Sequence, residues 1–98
     1  LSYIEQYVRR YDEAAVYSLH DGSGLGQAWA AYAEAGYKSA VQGPYMSRRA
    51  LIFVGLYNDI AYIVECSAHK DAFEKWQPAF LSFAKTVTFK PADAQWLS

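Results

Sequence analysis

The sequence has little of several residue types that define common classes of protein. Its 98 residues include one cysteine and two histidines, which excludes an internal disulfide and a cysteine–histidine set for a structural zinc. No apolar run approaches the roughly 18 uncharged residues of a membrane span. Charged residues make up only 19%, and the formal net charge of -1 leaves no basic surface for nucleic acid or anionic lipid. We therefore expect neither nucleic-acid binding nor direct membrane insertion.

Hydrophobic side chains are plentiful. They make up 53% of the residues, and aromatic residues, nine of them tyrosines, account for 17%. At this length the chain has room for one hydrophobic core, and large aromatic side chains can fill it. The composition predicts a single folded domain.

The first third of the chain predicts a helix, a strand and a turn. Ser2 and Glu5 have the spacing of a capping box, and four apolar side chains follow at helical spacing: Ile4, Tyr7, Val8 and Tyr11. Residues 15–19 favour a short strand. The glycine-rich residues 20–26 after it predict a flexible turn.

The clearest pattern lies in residues 50–66. Two β-rich runs flank Asn58-Asp59, which predicts a β-hairpin in which Tyr57 pairs with Ile60. That register places two apolar sets on opposite faces: Leu51, Phe53, Gly55, Tyr62, Val64 and Cys66 on one, and Ile52, Val54, Leu56, Ala61 and Ile63 on the other. Because both faces are apolar, we expect a central strand pair, with the helices shared between its two sides or with a partner covering one of them.

Two further segments are less clear. The alanine-rich residues 27–37 favour a helix by propensity, although we prefer a strand there for a reason given below. Asp71 and Glu74 repeat the capping-box spacing, and apolar residues continue at helical spacing to Val87. Because Pro78 removes a backbone donor, we expect a short turn over residues 71–76 and a main helix that begins near Pro78.

Motifs for catalysis are weak. The glycine run does not have the spacing of a nucleotide-binding loop. Cys66 and His69 lie three residues apart, but Cys66 is expected on the apolar face as an inert, buried thiol. Glu65 is most simply an edge-facing or partnered strand residue. We predict no catalytic, metal or cofactor site, and expect that the protein is not an enzyme.

Surface recognition is the remaining kind of function. Tyrosine and methionine are enriched at binding surfaces, and several lie near predicted turns together with an apolar loop at residues 43–46. The same side chains serve equally well as core and rim packing, so both roles stay open. The candidate protein-contact residues are Tyr32, Tyr37, Pro44, Tyr45, Met46 and Tyr57.

The order of these elements resembles a known group. A hydrophobic strand at residues 60–66 ends in small residues, and an aromatic series with one proline follows: Phe73, Trp76, Pro78, Phe80 and then Thr88-Phe89. This pattern is similar to the PsbP-like superfamily, which includes photosystem II extrinsic proteins, DcrB-like lipoproteins and type VI secretion effector chaperones. The resemblance covers residues 1–91 as one domain, with residues 92–98 as a tail.

The resemblance implies a fold and a function. The fold is α+β, with an antiparallel sheet of about four strands and a helix from each end of the chain packed on it, and residues 26–35 form a strand. The implied function is that of a non-catalytic accessory or chaperone-like adaptor that binds another protein, in the periplasm or anchored to a membrane through a preceding segment. The family's N-terminal hairpin is missing here, so a homodimer joined at sheet edges is a further expectation.

Two alternatives stay open. PsbP-like modules also occur appended to larger enzymes such as zinc metalloproteases, whose HExxH motif is not found in this sequence. The second alternative is that the domain is a small-molecule carrier, with a pocket between the sheet and the aromatic residues Phe73, Trp76 and Phe80.

Overall fold

The structure, a computed structural model, describes residues 2–26, 28–40 and 44–88. Its elements in chain order are helix α1 (Ser2–Val8), strand β1 (Asp12–Asp21), a 3-10 turn (Gly22–Leu25), strands β2 (Ala31–Ser39), β3 (Met46–Tyr57) and β4 (Ile60–His69), a second 3-10 turn (Lys70–Ala72) and helix α2 (Phe73–Thr86). The strands form one antiparallel sheet in the order β1-β2-β3-β4. The predicted α+β class is confirmed. The tail at residues 92–98, including Trp96, lies outside the described residues.

The hairpin of β3 and β4 has the predicted register. Asn58 and Asp59 both adopt positive φ, of 53° and 63°, which a two-residue turn between twisted strands requires. Tyr57 pairs with Ile60, and every pair down to Arg48 with His69 follows without a shift. The expectation that both strands are central is wrong for β4, which pairs only with β3 among the described residues.

The two apolar faces of the hairpin carry different helices. On one face, α1 packs its buried residues Ile4 and Val8 against β2 and β3. On the other, α2 packs Phe73 and Ala84 against Leu51 and Phe53. Of the two arrangements expected, the structure has the one in which the helices are shared between the faces. Below, these are called the α1 face and the α2 face.

The alanine-rich segment is a strand from Ala31, as preferred, and not from residue 26. Ala33 and Ala35 are fully buried on the α1 face, while Glu34 points to the other face and binds Arg49. Their small side chains let α1 lie close to the sheet. Burial at a period of two, together with pairing to β1 and β3, outweighs the helical propensity of alanine.

The glycine-rich stretch is a turn, as expected, and it takes the form of a 3-10 helix at Gly22–Leu25. Gly22 is buried, and a Cβ added there would lie 2.6 Å from the backbone oxygen of Trp29. The Asp21 carboxylate accepts the Ser23 N–H at 2.8 Å, and Leu25 is buried in the core beneath α2. The turn therefore closes one end of that core.

The start of α2 also differs from the prediction. The helix is continuous from Phe73, with Pro78 inside it, and no side-chain bond caps it at Ala72. Instead His69 Nδ1 accepts the Asp71 N–H, at 3.1 Å, in the preceding 3-10 turn. Because Glu74 and Pro78 are both exposed, water can hydrate the Glu74 carbonyl that the proline leaves unbonded.

The first two elements have different lengths from those predicted. α1 ends at Val8, so Tyr11 lies beyond the helix, although its ring still packs against the same core. β1 extends past residues 15–19 at both ends because β2 pairs with it from Asp12 to Asp21. The side chain of Ser2 is not described, so the capping box of α1 stays a prediction.

Candidate functional site

A cluster of three tyrosines surrounds Glu65 at the centre of β4. Tyr7 and Tyr11 each donate a hydroxyl hydrogen bond to Glu65 Oε1 at 2.7 Å, and Tyr37 donates to Oε2. The rings of Tyr11 and Tyr37 stack, with centroids 3.9 Å apart and planes within 8°. The side chains come from α1, the segment after it, β2 and β4, so the cluster joins the helix to the sheet.

The surroundings of the cluster perturb its titration. Burial, followed by the hydrogen bond to Glu65, raises the pKa of Tyr37 well above its ordinary value. Burial is also the main cause that raises the pKa of Tyr7 and of Tyr11. Tyrosine is ordinarily a neutral donor at physiological pH, and the raised pKa values keep these three hydroxyls protonated to higher pH than usual.

A polar cavity of about 270 Å³ opens beside this cluster. It is lined by the cluster and by Ser39, Arg48 and Ser67, of which Arg48 donates from Nη2 to Ser67 Oγ at 3.2 Å. Ser39 is buried. The cavity offers hydroxyl groups and one guanidinium, which are suited to hydrogen bonding with a small polar molecule.

An apolar groove lies on the same face, near the end of the sheet that carries the β3–β4 turn. Its volume is about 450 Å³, and its exposed apolar walls are Tyr3, Leu19 and Leu56. Ala31 and Val54 also line it, and Asp21 and His20 lie at the same site. We refer to these residues as the apolar groove. Sequence reasoning missed it, because the groove depends on how little of the sheet α1 covers.

The structure does not gather the predicted contact residues into one patch. Pro44 and Tyr45 precede β3 and Met46 is its first residue, whereas Tyr57 is its last residue, eleven positions after Met46 or about 37 Å along the strand. Pro44 and Tyr45 are exposed, and the Tyr45 hydroxyl donates to Asp12 Oδ2 at 3.1 Å. Gly43 of the predicted loop lies outside the described residues.

The other two predicted contact tyrosines pack within the domain. Tyr37 is only 4% exposed, and its hydroxyl belongs to the Glu65 cluster. Tyr32 is half-buried on the α2 face, where its ring stacks on His20 and Phe53. The packing role therefore accounts for both rings.

Cys66 and His69 do not meet. Their separation of three places them on opposite faces of β4, with Cys66 packed against the core beneath α2. Burial, followed by the nearby Glu65 charge, raises the pKa of the Cys66 thiol. The side chain of His69 instead caps the turn before α2. This arrangement does not activate the thiol as a nucleophile.

Within residues 2–26, 28–40 and 44–88, no group of three or more His, Cys, Asp or Glu side chains is placed to hold a metal ion. Over the same part of the chain, no helix is long and apolar enough to cross a membrane. Comparison of the chain with protein-family models, curated proteins and solved structures finds no match.

Proposed function

We propose that this domain is a non-catalytic module that binds an apolar segment of another protein in the apolar groove. The observation that carries the proposal is the open end of the α1 face. There Leu19, Leu56 and Tyr3 are exposed around a cavity of about 450 Å³, which is within the range of pockets that accept ligand groups. Membership of the PsbP-like superfamily and an extracytoplasmic location stay predictions.

The length of α1 explains why this end is open. The helix has seven residues and spans about 10 Å, whereas the twelve residues of β3 extend about 40 Å. α1 is therefore too short to cover the full length of β3, and no other helix of the described residues packs on this face at the end with the β3–β4 turn. Grouped apolar side chains of this kind favour an interaction site over ordinary surface.

The charges at the groove define the chemistry of the partner. Asp21 lies beside the apolar walls, and none of the described residues that line the groove is a lysine or an arginine. A segment with one or two large apolar side chains next to a basic residue would fill the groove and face this carboxylate. We expect a short interaction of modest affinity, because the groove is small compared with a full protein interface.

Peptide display tests this proposal. A random peptide library selected against the purified domain should yield sequences with a large apolar residue beside lysine or arginine. Leu56→Ser should weaken binding of a selected peptide about tenfold or more. The matched control is Tyr45→Ser. Tyr45 and Leu56 are similarly exposed, at 54% and 56%, but Tyr45 immediately precedes β3 whereas Leu56 lies near its end.

Three outcomes are informative. Loss of binding in Leu56→Ser with retention in Tyr45→Ser supports the groove. Loss in Tyr45→Ser alone overturns it in favour of the loop predicted from the sequence. Selection of no peptide above background contradicts peptide binding altogether.

The polar cavity beside Glu65 favours a second candidate, a carrier of a small polar molecule. Its hydroxyl and guanidinium groups converge on about 270 Å³, whereas Phe73 of the pocket predicted from the sequence is buried in the core. Native mass spectrometry of the freshly purified protein should then show an added mass. A spectrum of the bare 11.0 kDa chain alone would contradict the carrier function.

A further inference from the structure

The two edges of the sheet are built differently. β1 is irregular, with register shifts between Asp12 and Ala15 and between Val16 and Ser18, and Glu13 has a φ of 50°. It also carries acidic side chains at both ends. Bulges and charges are the means by which proteins prevent an edge strand from pairing with another chain.

β4 has none of this protection. Its ten residues pair with β3 without a register shift, and its one carboxylate, Glu65, is held inward by three tyrosine hydroxyls. Because Tyr57 and Ile60 flank a two-residue turn, they form a hydrogen-bonded pair. Even-numbered residues of β4 therefore bond to β3, and odd-numbered residues direct their N–H and C=O groups outward.

An aromatic stripe on α2 lies beside this edge. Trp76 and Phe83 are 47% and 46% exposed, and they are seven residues apart on one side of the helix. Counting 100° per residue from the buried positions Phe73 and Ala84 places both rings on the flank of α2 that faces the outer side of β4. Among the described residues no strand pairs with the outer edge of β4, and this edge and the apolar flank of α2 point in the same direction.

We propose that a second copy of this chain pairs with β4 in antiparallel orientation and forms a continuous eight-stranded sheet. The two-fold axis of such a dimer is perpendicular to the sheet, so both α2 helices lie on the same face. Trp76 and Phe83 of each copy then meet those of the other. A peptide strand could hydrogen-bond the backbone groups at the β4 edge. A strand alone would not cover the aromatic stripe of Trp76 and Phe83 on the same side.

The Glu65 carboxylate disfavours one register, and we choose the neighbouring one. Pairing centred on Glu65 would place two carboxylate-bearing residues directly opposite each other, which is unfavourable. Pairing centred on Val64 instead places Ile63 opposite the Glu65 position of the second copy. In this register the Val64 residues of the two copies lie opposite each other as a non-hydrogen-bonded pair, with their Cα atoms about 4.5 Å apart.

The area available is sufficient for a weak dimer. Tyr62, Trp76 and Phe83 present roughly 250–300 Å² of exposed side chain per copy, given 150–250 Å² for a fully buried aromatic residue. With the ten-residue strand edge, the total reaches about 1,000–1,200 Å², the lower limit for specific interfaces. We therefore expect dissociation in the micromolar range.

Light scattering coupled to size exclusion tests the dimer with the full chain. At about 100 µM the protein should have twice the 11.0 kDa chain mass. The double variant Trp76→Ser/Phe83→Ser should raise the dimer dissociation constant about tenfold or more. Leu56→Ser is the control, because Leu56 is exposed to a similar extent on the α1 face, and it should leave the dimer unchanged.

Cysteine cross-linking tests the register. Val64→Cys in a Cys66→Ala background should form an intermolecular disulfide on mild oxidation, whereas Ile63→Cys in the same background should not. A monomer at 100 µM overturns the proposal, as does a dimer that Leu56→Ser disrupts and the Trp76/Phe83 variant does not. Because the groove is on the other face, peptide binding that fails while the dimer persists would overturn only the proposed function.

Discussion

Replacement of Glu65 by glutamine tests the view that one carboxylate joins α1 to the sheet. Hydrogen bonds to a charged group contribute about 1.5–3 kcal/mol each, compared with about 1 kcal/mol for neutral partners. In Glu65→Gln, an amide nitrogen replaces one carboxylate oxygen. A tyrosine hydroxyl that donates to that oxygen in the wild type then loses its acceptor. The neutral glutamine also avoids the cost of burying a charge, and this gain offsets part of the loss. We expect the free energy of unfolding to fall by about 2–3 kcal/mol.

Urea denaturation followed by far-UV circular dichroism measures this change. The control is Glu34→Gln, which removes a half-buried ion pair with Arg49, 2.7 Å long, on the other face of the sheet. That variant should lose less than about 1 kcal/mol, because partly exposed ion pairs contribute little. Both substitutions remove one negative charge, so a difference between them reflects the tyrosine cluster.

A double-mutant cycle completes the test. Tyr37→Phe removes one donor to Glu65, and its effect should be smaller by about 1 kcal/mol or more in the Glu65→Gln background than in the wild type. Two results would refute the reasoning. One is a Glu65→Gln variant within about 0.5 kcal/mol of the wild type, and the other is strict additivity with Tyr37→Phe.

Three further predictions follow from the structure. Gly22→Ala should destabilise the domain by about 1–3 kcal/mol, because the new Cβ would meet the backbone of Trp29. Gly24→Ala is the control and should not destabilise it, because a Cβ there has nothing within 4 Å. Equal urea midpoints for the two variants would contradict this prediction. The free energy of unfolding should fall as pH rises above about 10. In that range tyrosines of the unfolded chain lose their protons, whereas the raised pKa of Tyr37 keeps it protonated in the folded state. Tyr37→Phe should therefore make the free energy of unfolding less dependent on pH. Cys66 should react with Ellman's reagent at pH 8 at least about tenfold more slowly in the folded protein than in urea, because burial raises the pKa of its thiol; equal rates would show that the thiol is not shielded.

The sequence was sufficient where structure depends on neighbouring residues. The hairpin register follows from Asn58-Asp59, because a two-residue turn fixes every pair along both strands. The sharing of the two helices between the faces followed from apolar residues on both sides of the hairpin. Cys66 was also assigned correctly to an apolar face by its pairing with Leu51.

Other features depend on distant contacts and were missed. Glu65 binds tyrosines 28, 54 and 58 residues away, and the only sequence signal was a single charge in an apolar strand. The helix passes through Pro78 because that residue lies on the exposed side, which no local rule specifies. The apolar groove likewise results from the short length of α1 relative to β3.

The most direct test of the proposed function is an NMR titration of the ¹⁵N-labelled domain with a peptide from the display selection. The account predicts that chemical-shift changes concentrate at the apolar groove, on the amides of Tyr3, Leu19, Ala31 and Leu56. Changes concentrated at Tyr45 and Met46, or no changes at a saturating peptide concentration, would contradict it.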